Sequence, residues 1–177
     1  DEQILKLLNR RAGIVMQIGK LKQASLSDLH APEREREIYD RLTRLNKGPF
    51  PNDALRAVFR EILSGSLSLE GPLKVAFLGP KATFTHLACI RHFGASAGYI
   101  PSNSIKEVFS EVERGRAEYG VVPIENSTEG VVNHTLDMFI DSPLKIVGEV
   151  MQEVSHHLMN KSGKLEDVRR IYSHPHA

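Results

Sequence analysis

Apolar residues recur at three- and four-residue steps from Asp1 to about Ala24, at Ile4, Leu7, Leu8, Ile14, Val15, Ile18 and Leu21, which predicts one long amphipathic helix. A second helix is expected from Pro32, a residue suited to a first turn, through Ile38, Leu42 and Leu45 to about Asn46, where Gly48-Pro49-Phe50-Pro51 breaks it. A third starts at Asn52 or Asp53 as cap and carries Leu55, Val58, Phe59, Ile62 and Leu63. Three helices of unequal length enclose little core, so a helical homodimer is expected, each copy covering the other.

Helical character is lost over Ser64 to Pro72, and Leu73 to Leu78 reads as a buried strand, which puts a domain boundary near Gly71: residues 1–70 helical, 71–177 α/β. Strand and helix then alternate. A loop at Gly79 to His86 leads to a helix with Leu87, Ile90 and Phe93, ended by Gly94; a short strand follows at Tyr99-Ile100. Ser102-Asn103-Ser104 caps a helix with Ile105, Val108, Phe109 and Val112, closed by Gly115. Next come a strand from Tyr119 to Ile124, a polar loop, and a helix through Leu136, Met138 and Phe139 that Pro143 stops. Strand-like sequence runs from Lys145 to Leu158, and a short helix near Leu165 to Arg169 and a strand at Ile171-Tyr172 finish the chain. The expected class is multidomain, α plus α/β, with a sheet at least partly parallel.

Composition narrows the function classes. The 23 basic and 22 acidic residues among 177 leave a net charge of +1, so no global field draws in nucleic acid or an anionic membrane, and anion binding must be local. The single cysteine, Cys89, excludes an internal disulfide and a multi-cysteine metal site and reads as a small buried hydrophobe. No apolar run reaches the roughly 18 residues of a membrane span, and no signal peptide opens the chain, so a cytoplasmic protein is expected. The sequence starts inside a helical pattern and stops at Ser173-His174-Pro175-His176-Ala177 without a capping element, as a piece of a longer protein would.

Polar residues interrupt the helical part where a plain bundle needs none. Arg11 and Lys22 are about three helical turns apart and project from nearly one side, Arg34 and Glu35 open the second helix, and Ser66 and Glu70 share a face near the end of the third. Singly, each reads as a solvated charge. Together, Arg11, Gly19-Lys20-Leu21-Lys22, Pro32 to Arg36 and Phe59-Arg60-Glu61-Ile62 resemble the all-helical class of chorismate mutase, over Asp1 to Glu70. The resemblance implies an intertwined dimer. It makes Arg11 and Arg34 ligands of substrate carboxylate with Ser66 assisting, sets Lys22 and Glu70 at the ether oxygen of the breaking bond, and sets Glu35 at the ring hydroxyl. The rearrangement is unimolecular, so cations and a hydrogen-bond donor that hold the dianion in its reactive shape suffice. Glu70 donates only when burial keeps it protonated, so activity is expected to fall as pH rises. Two departures stand out: a further arginine of that family, near the start of its first helix, has its position before Asp1, and Ala31 stands where some members are acidic.

In the α/β part, Thr83 and Thr85 precede one helix and Asn126, Ser127 and Thr128 another, offering donors beside unpaired backbone N–H groups where the helix dipole favours an anion. Both sets also serve as simple helix caps. No phosphate-loop or dinucleotide spacing is present. Val75 to Pro80, Thr83-Phe84-Thr85-His86, Gly120 to Ser127, Glu129 to Asn133 and Tyr172-Ser173-His174-Pro175 resemble prephenate dehydratase, in order and spacing, from Lys74 to Ala177. That family has two α/β lobes around a cleft, here partial. The resemblance lines the cleft with Asn126, Glu125 and Ser127, opposite Thr83 and Thr85; His174 suits an acid by its titration range but also a turn before Pro175, and the structural role is favoured. Three departures mark this stretch: Lys81-Ala82 replaces a common acidic-glycine pair, His176 stands where glutamine is usual, and the family's Thr-Arg-Phe segment and regulatory domain fall beyond Ala177. Taken literally, the chain is not expected to dehydrate prephenate.

A helical mutase followed by a dehydratase is the order of the bifunctional enzymes of phenylalanine biosynthesis. The resemblance implies chorismate and prephenate as substrates, an isomerase and a lyase activity, and no cofactor or metal. The competing expectation is a non-catalytic α/β module binding small carboxylates, with a helical dimerisation arm.

Overall fold

The computed structural model describes residues 1–25, 32–71, 73–126 and 130–172, without the side chains of 20–25 and 32. Helices α1 (Glu2–Ser25), α2 (Pro32–Leu45) and α3 (Asn52–Ser68) form the first part. The third runs further than its Ser- and Gly-rich end suggests. Ser66 Oγ donates to the Ile62 carbonyl at 2.6 Å and Ser68 Oγ to that of Gly65 at 2.7 Å, so these hydroxyls are satisfied within the helix. Small side chains also let a neighbouring turn lie close, and tertiary packing outweighs a weak propensity.

The second part is a parallel sheet in the order β2-β1-β3, built from β1 (Lys74–Leu78), β2 (Gly98–Ser102) and β3 (Tyr119–Val121). The register sets Val75 opposite Tyr99 on one side and opposite Tyr119 on the other. Helix α4 (Phe84–Phe93) connects β1 to β2, and α5 (Ile105–Glu113) connects β2 to β3. Val75, Ala76 and Phe77 are wholly buried, because the central strand is covered on both faces. Val75 and Phe77 pack with Leu73 and Cys89, joined by Leu67 of α3, Phe93 and Tyr99. Ala76 turns the other way, to Val108 and Ala117. The strand's alternation thus assigns one helix to each face.

Three sequence expectations fail beyond β3. That strand stops at Val121, and the chain makes a small antiparallel ladder, β4 (Glu125–Asn126) with β5 (Gly130–Val131), before α6 (Asn133–Asp141). Gly130, at φ 81°, takes the left-handed conformation that lets the chain fold back. The strands expected over 145–158 and 171–172 do not form. Their apolar side chains point to solvent, Met151 being 92% exposed, and no ladder partner lies beside them among the described residues, without which a strand gains nothing. The helix expected near Leu165 to Arg169 is a single 3-10 turn, Leu165–Asp167.

Candidate functional site

Two groups of polar residues come together, one between helices and one at the sheet edge. In the first, α3 lies on α1. The Arg11 guanidinium donates through Nη1 to Ser66 Oγ across that contact, and partial burial lowers its pKa from the ordinary guanidinium value. In the turn just past the end of α3, Glu70 packs on Gly19, so closely that a Cβ there would fall 2.9 Å from Glu70 Cγ. Glu70 Oε2 is buried and has no hydrogen-bond partner among the described residues. A buried polar atom left over in this way costs stability unless something else occupies it, which marks a place for a ligand.

Of the residues singled out in the helical part, the structure brings Ser66 to Arg11 and sets Glu70 against Gly19, further along the helix that carries Arg11. Lys22 lies within α1, one turn past Gly19, and its side chain falls outside the described residues. Arg34 instead pairs with Glu37 on its own helix at 2.8 Å and is 70% exposed. With Ile38, Arg41 and Arg44 they line a shallow surface pocket. Glu35 acts on Tyr39, whose hydroxyl is pushed up first by burial and then by the Glu35 charge. Gly19 was quoted as part of a motif but not as a site residue; the signal was a glycine in a helix interior, where it costs about 1 kcal/mol relative to alanine unless packing requires it.

The second group follows from topology. With the order β2-β1-β3, the chain leaves β1 and β3 in opposite senses, so the crevice beyond their carboxyl ends is the switch point where α/β sheets bind ligands. The loop after β1 holds Thr83, and the segment after β3 holds Glu125 and Asn126. Thr83 is the N-cap of α4: its Oγ1 accepts the His86 N–H at 3.3 Å and donates to the Pro80 carbonyl at 3.1 Å. Thr85 is half-buried in the first turn of α4. His86, stacked on Phe77 at 4.8 Å, accepts the Ala82 N–H through Nδ1 at 3.1 Å, which leaves its proton on Nε2. Ala82 holds φ 67°, a left-handed value that glycine adopts without strain. His86 was quoted as part of a motif but not as a site residue; its spacing of four from Ala82 was the signal.

The other wall is not a helix cap. Glu125 and Asn126 are exposed in β4, while α6 begins only after the hairpin and has Val132, without a side-chain bond, at its N-cap. The expectation that Asn126 stands at a helix N-terminus is therefore corrected. The hairpin is anchored by the buried Thr135, whose hydroxyl donates to the Pro123 carbonyl at 2.6 Å, and by the Val132 N–H, which donates to Ile124 at 2.9 Å. Ser127, Thr128 and His174 lie outside the described residues.

A helical pair that holds a cation and a partly buried carboxyl, followed by a parallel α/β sheet with polar loops at the carboxyl ends of β1 and β3, is the arrangement of an α plus α/β protein. The prephenate dehydratase model matches residues 75–177, and a chorismate mutase type II model matches 1–71. The chain belongs to the prephenate dehydratase family and carries a chorismate mutase region before it. Its relatives include a bifunctional chorismate mutase/prephenate dehydratase of Aquifex aeolicus, 53% identical over 178 residues, with 98% of this chain and 49% of the relative covered. Another, of Pseudomonas aeruginosa, is 44% identical over 98% of this chain and 49% of its own length. A prephenate dehydratase structure from Streptococcus mutans is 38% identical, with a TM-score of 0.38 over 40% of this chain and 37% of that one. The chain spans about half the length of the curated relatives it matches. None of the relatives named here is a non-catalytic carboxylate binder. No helix among the described residues is long and apolar enough to cross a membrane.

Proposed function

We propose that this chain is part of a cytoplasmic enzyme of phenylalanine biosynthesis that rearranges chorismate to prephenate in a helical module, residues 1–70, and converts prephenate to phenylpyruvate in an α/β module that includes residues 71–177 and is incomplete in this chain. The observation that carries the reading is that α3 and the turn after it bring Ser66 to Arg11 and Glu70 to Gly19 on one helix, with Glu70 Oε2 buried and without a hydrogen-bond partner among the described residues. A rearrangement with no nucleophile and no external acid needs such a set: a cation to anchor a carboxylate and polar groups where charge develops on the ether oxygen. In this reading Arg11 and Arg34 hold carboxylate with Ser66 assisting, Lys22 and Glu70 serve the ether oxygen, and Glu35 the ring hydroxyl.

Dehydration is driven by aromatisation as carbon dioxide and water depart, so the α/β module needs carboxylate anchors and a proton donor for the leaving hydroxyl. Thr83 and Thr85 form one wall of that cleft, and Glu125, Asn126 and Ser127 the other. The active form is a homodimer. Support comes from α1, a 24-residue helix on which Ile4, Leu7, Ile14 and Ile18 are half-exposed at helical spacing, an apolar stripe for a second copy to cover. Neither module takes nucleic acid, membrane or a cofactor as partner. Incubating the protein separately with chorismate and with prephenate tests the assignment; loss of neither substrate defeats it.

A further inference from the structure

Helix α3 faces two ways. On one side Ser66 and Glu70 meet α1. On the opposite side, by helical periodicity, it is joined to the turn that ends α4. The Glu61 carboxylate accepts the Ala95 N–H at 2.9 Å, and Ser64 Oγ, nearly buried, accepts the Ser96 N–H at 3.2 Å. Arg60 Nη1 donates to the Arg91 carbonyl in the last turn of α4 at 3.1 Å. The approach is close enough to require a glycine: a Cβ on Gly94, at φ 79°, would fall 2.5 Å from Ser64 Cβ. Tyr99 ties the same turn to the sheet by donating to the Gly94 carbonyl, and its ring meets His86 edge-on at 5.5 Å. Leu67, one turn past Ser64, joins the core of the α/β part.

Helix α3 is therefore held against the α/β fold by hydrogen bonds from two successive backbone N–H groups. Hydrogen bonds of this kind fix an element in translation and rotation, where apolar contact alone leaves it free to slide. A rotation of α3 would carry Ser66 and Glu70 off α1 together. We propose that Glu61 and Ser64 are positioning residues for the mutase site, fixing through the 94–96 turn where Ser66 and Glu70 stand. The inference rests on the mutase reading given above.

The test uses the full chain with Glu61→Ala and Ser64→Ala together, and Glu61→Gln as the conservative variant. Ser66 assists a carboxylate anchor and Glu70 serves the ether oxygen, so the double variant should lose on the order of tenfold or more in kcat/KM for chorismate, with kcat lowered and KM raised together. Glu61→Gln, which keeps an acceptor for the Ala95 N–H, should stay near the parent. Amide exchange at Leu69 and Glu70 should quicken in the double variant. That readout does not depend on activity, and if the double variant fails to fold, Ser64→Ala alone carries both measurements. Parent-like kcat, or unchanged exchange at those amides in a folded variant, overturns the proposal. An unmodified chain that consumes no chorismate counts against the mutase reading instead, while the exchange measurement still judges the latch.

Discussion

Gly19→Ala separates stability from activity in a way few substitutions do. The change replaces the poorest ordinary helix former by the best inside a 24-residue helix, worth about 1 kcal/mol of added stability. The new methyl would sit 2.9 Å from Glu70 Cγ, 3.3 Å from Cδ and 3.5 Å from Cβ, so the whole side chain and not merely its tip must retreat, by about half an ångström, to reach ordinary contact. A displacement of roughly 1 Å in a catalytic group costs up to about a hundredfold, and half of that about tenfold, or about 1.4 kcal/mol of barrier. Overpacking against Glu70 costs about 1 to 3 kcal/mol and offsets that gain, so the thermal midpoint should stay near or slightly below that of the parent, while chorismate disappearance followed by ultraviolet absorbance slows by about tenfold. A stabilised variant with parent activity would refute the argument that Glu70 must lie where it does.

Four further outcomes follow from the geometry. Thr83→Ala should cost about 1 kcal/mol of stability by denaturant titration, as loss of an N-cap does, and Ser104→Ala a similar amount; only the first should also weaken prephenate binding. Phe77→Ala, removing the largest fully buried side chain beneath His86, should cost about 3 to 5 kcal/mol by the same titration. The Cys89 thiol, pushed up to about 12 by burial and wholly covered, should resist a thiol reagent at pH 8 until the protein is unfolded. The Glu61 carboxyl is held below its ordinary 4.5, first by the Ala95 N–H, so its stabilisation is present above pH 4.5 and lost as pH falls through the lower folded value. Glu61 is largely exposed, so the effect is about 0.5 kcal/mol, and Glu61→Gln should flatten that part of an acid unfolding curve.

The parts legible in the sequence were those where local pattern and tertiary need agree. The long helix, Pro32 at a helix start, Thr83 and Ser104 as caps, and the alternation of strand and helix from Lys74 to Glu113 follow from periodicity and capping chemistry. The end of α3 was misread because Ser64, Gly65 and Ser66 are poor helix formers, kept helical by the turn packed against them. The hairpin at Glu125 to Val131 was missed because its single local signal, Gly130, also suits a helix boundary. Residues 145–158 carry strand-like composition, but composition does not supply the ladder that a strand requires. In the candidate sites, the resemblance pointed to Arg11, Ser66 and Glu70, whereas the packing roles of Gly19, Glu61 and Ser64 depend on distances between helices. That the loops after β1 and β3 leave from neighbouring strand ends depends on strand order, which no single segment encodes.

Arg11→Ala, assayed for chorismate turnover by proton NMR alongside the sedimentation of the protein, probes the proposed mutase site most directly. The reading requires that the unmodified chain turn chorismate into prephenate and that the variant lose this almost wholly, by about a hundredfold or more, while sedimenting as the same dimer. A variant that rearranges chorismate as fast as the parent, or a parent that leaves chorismate untouched, contradicts it.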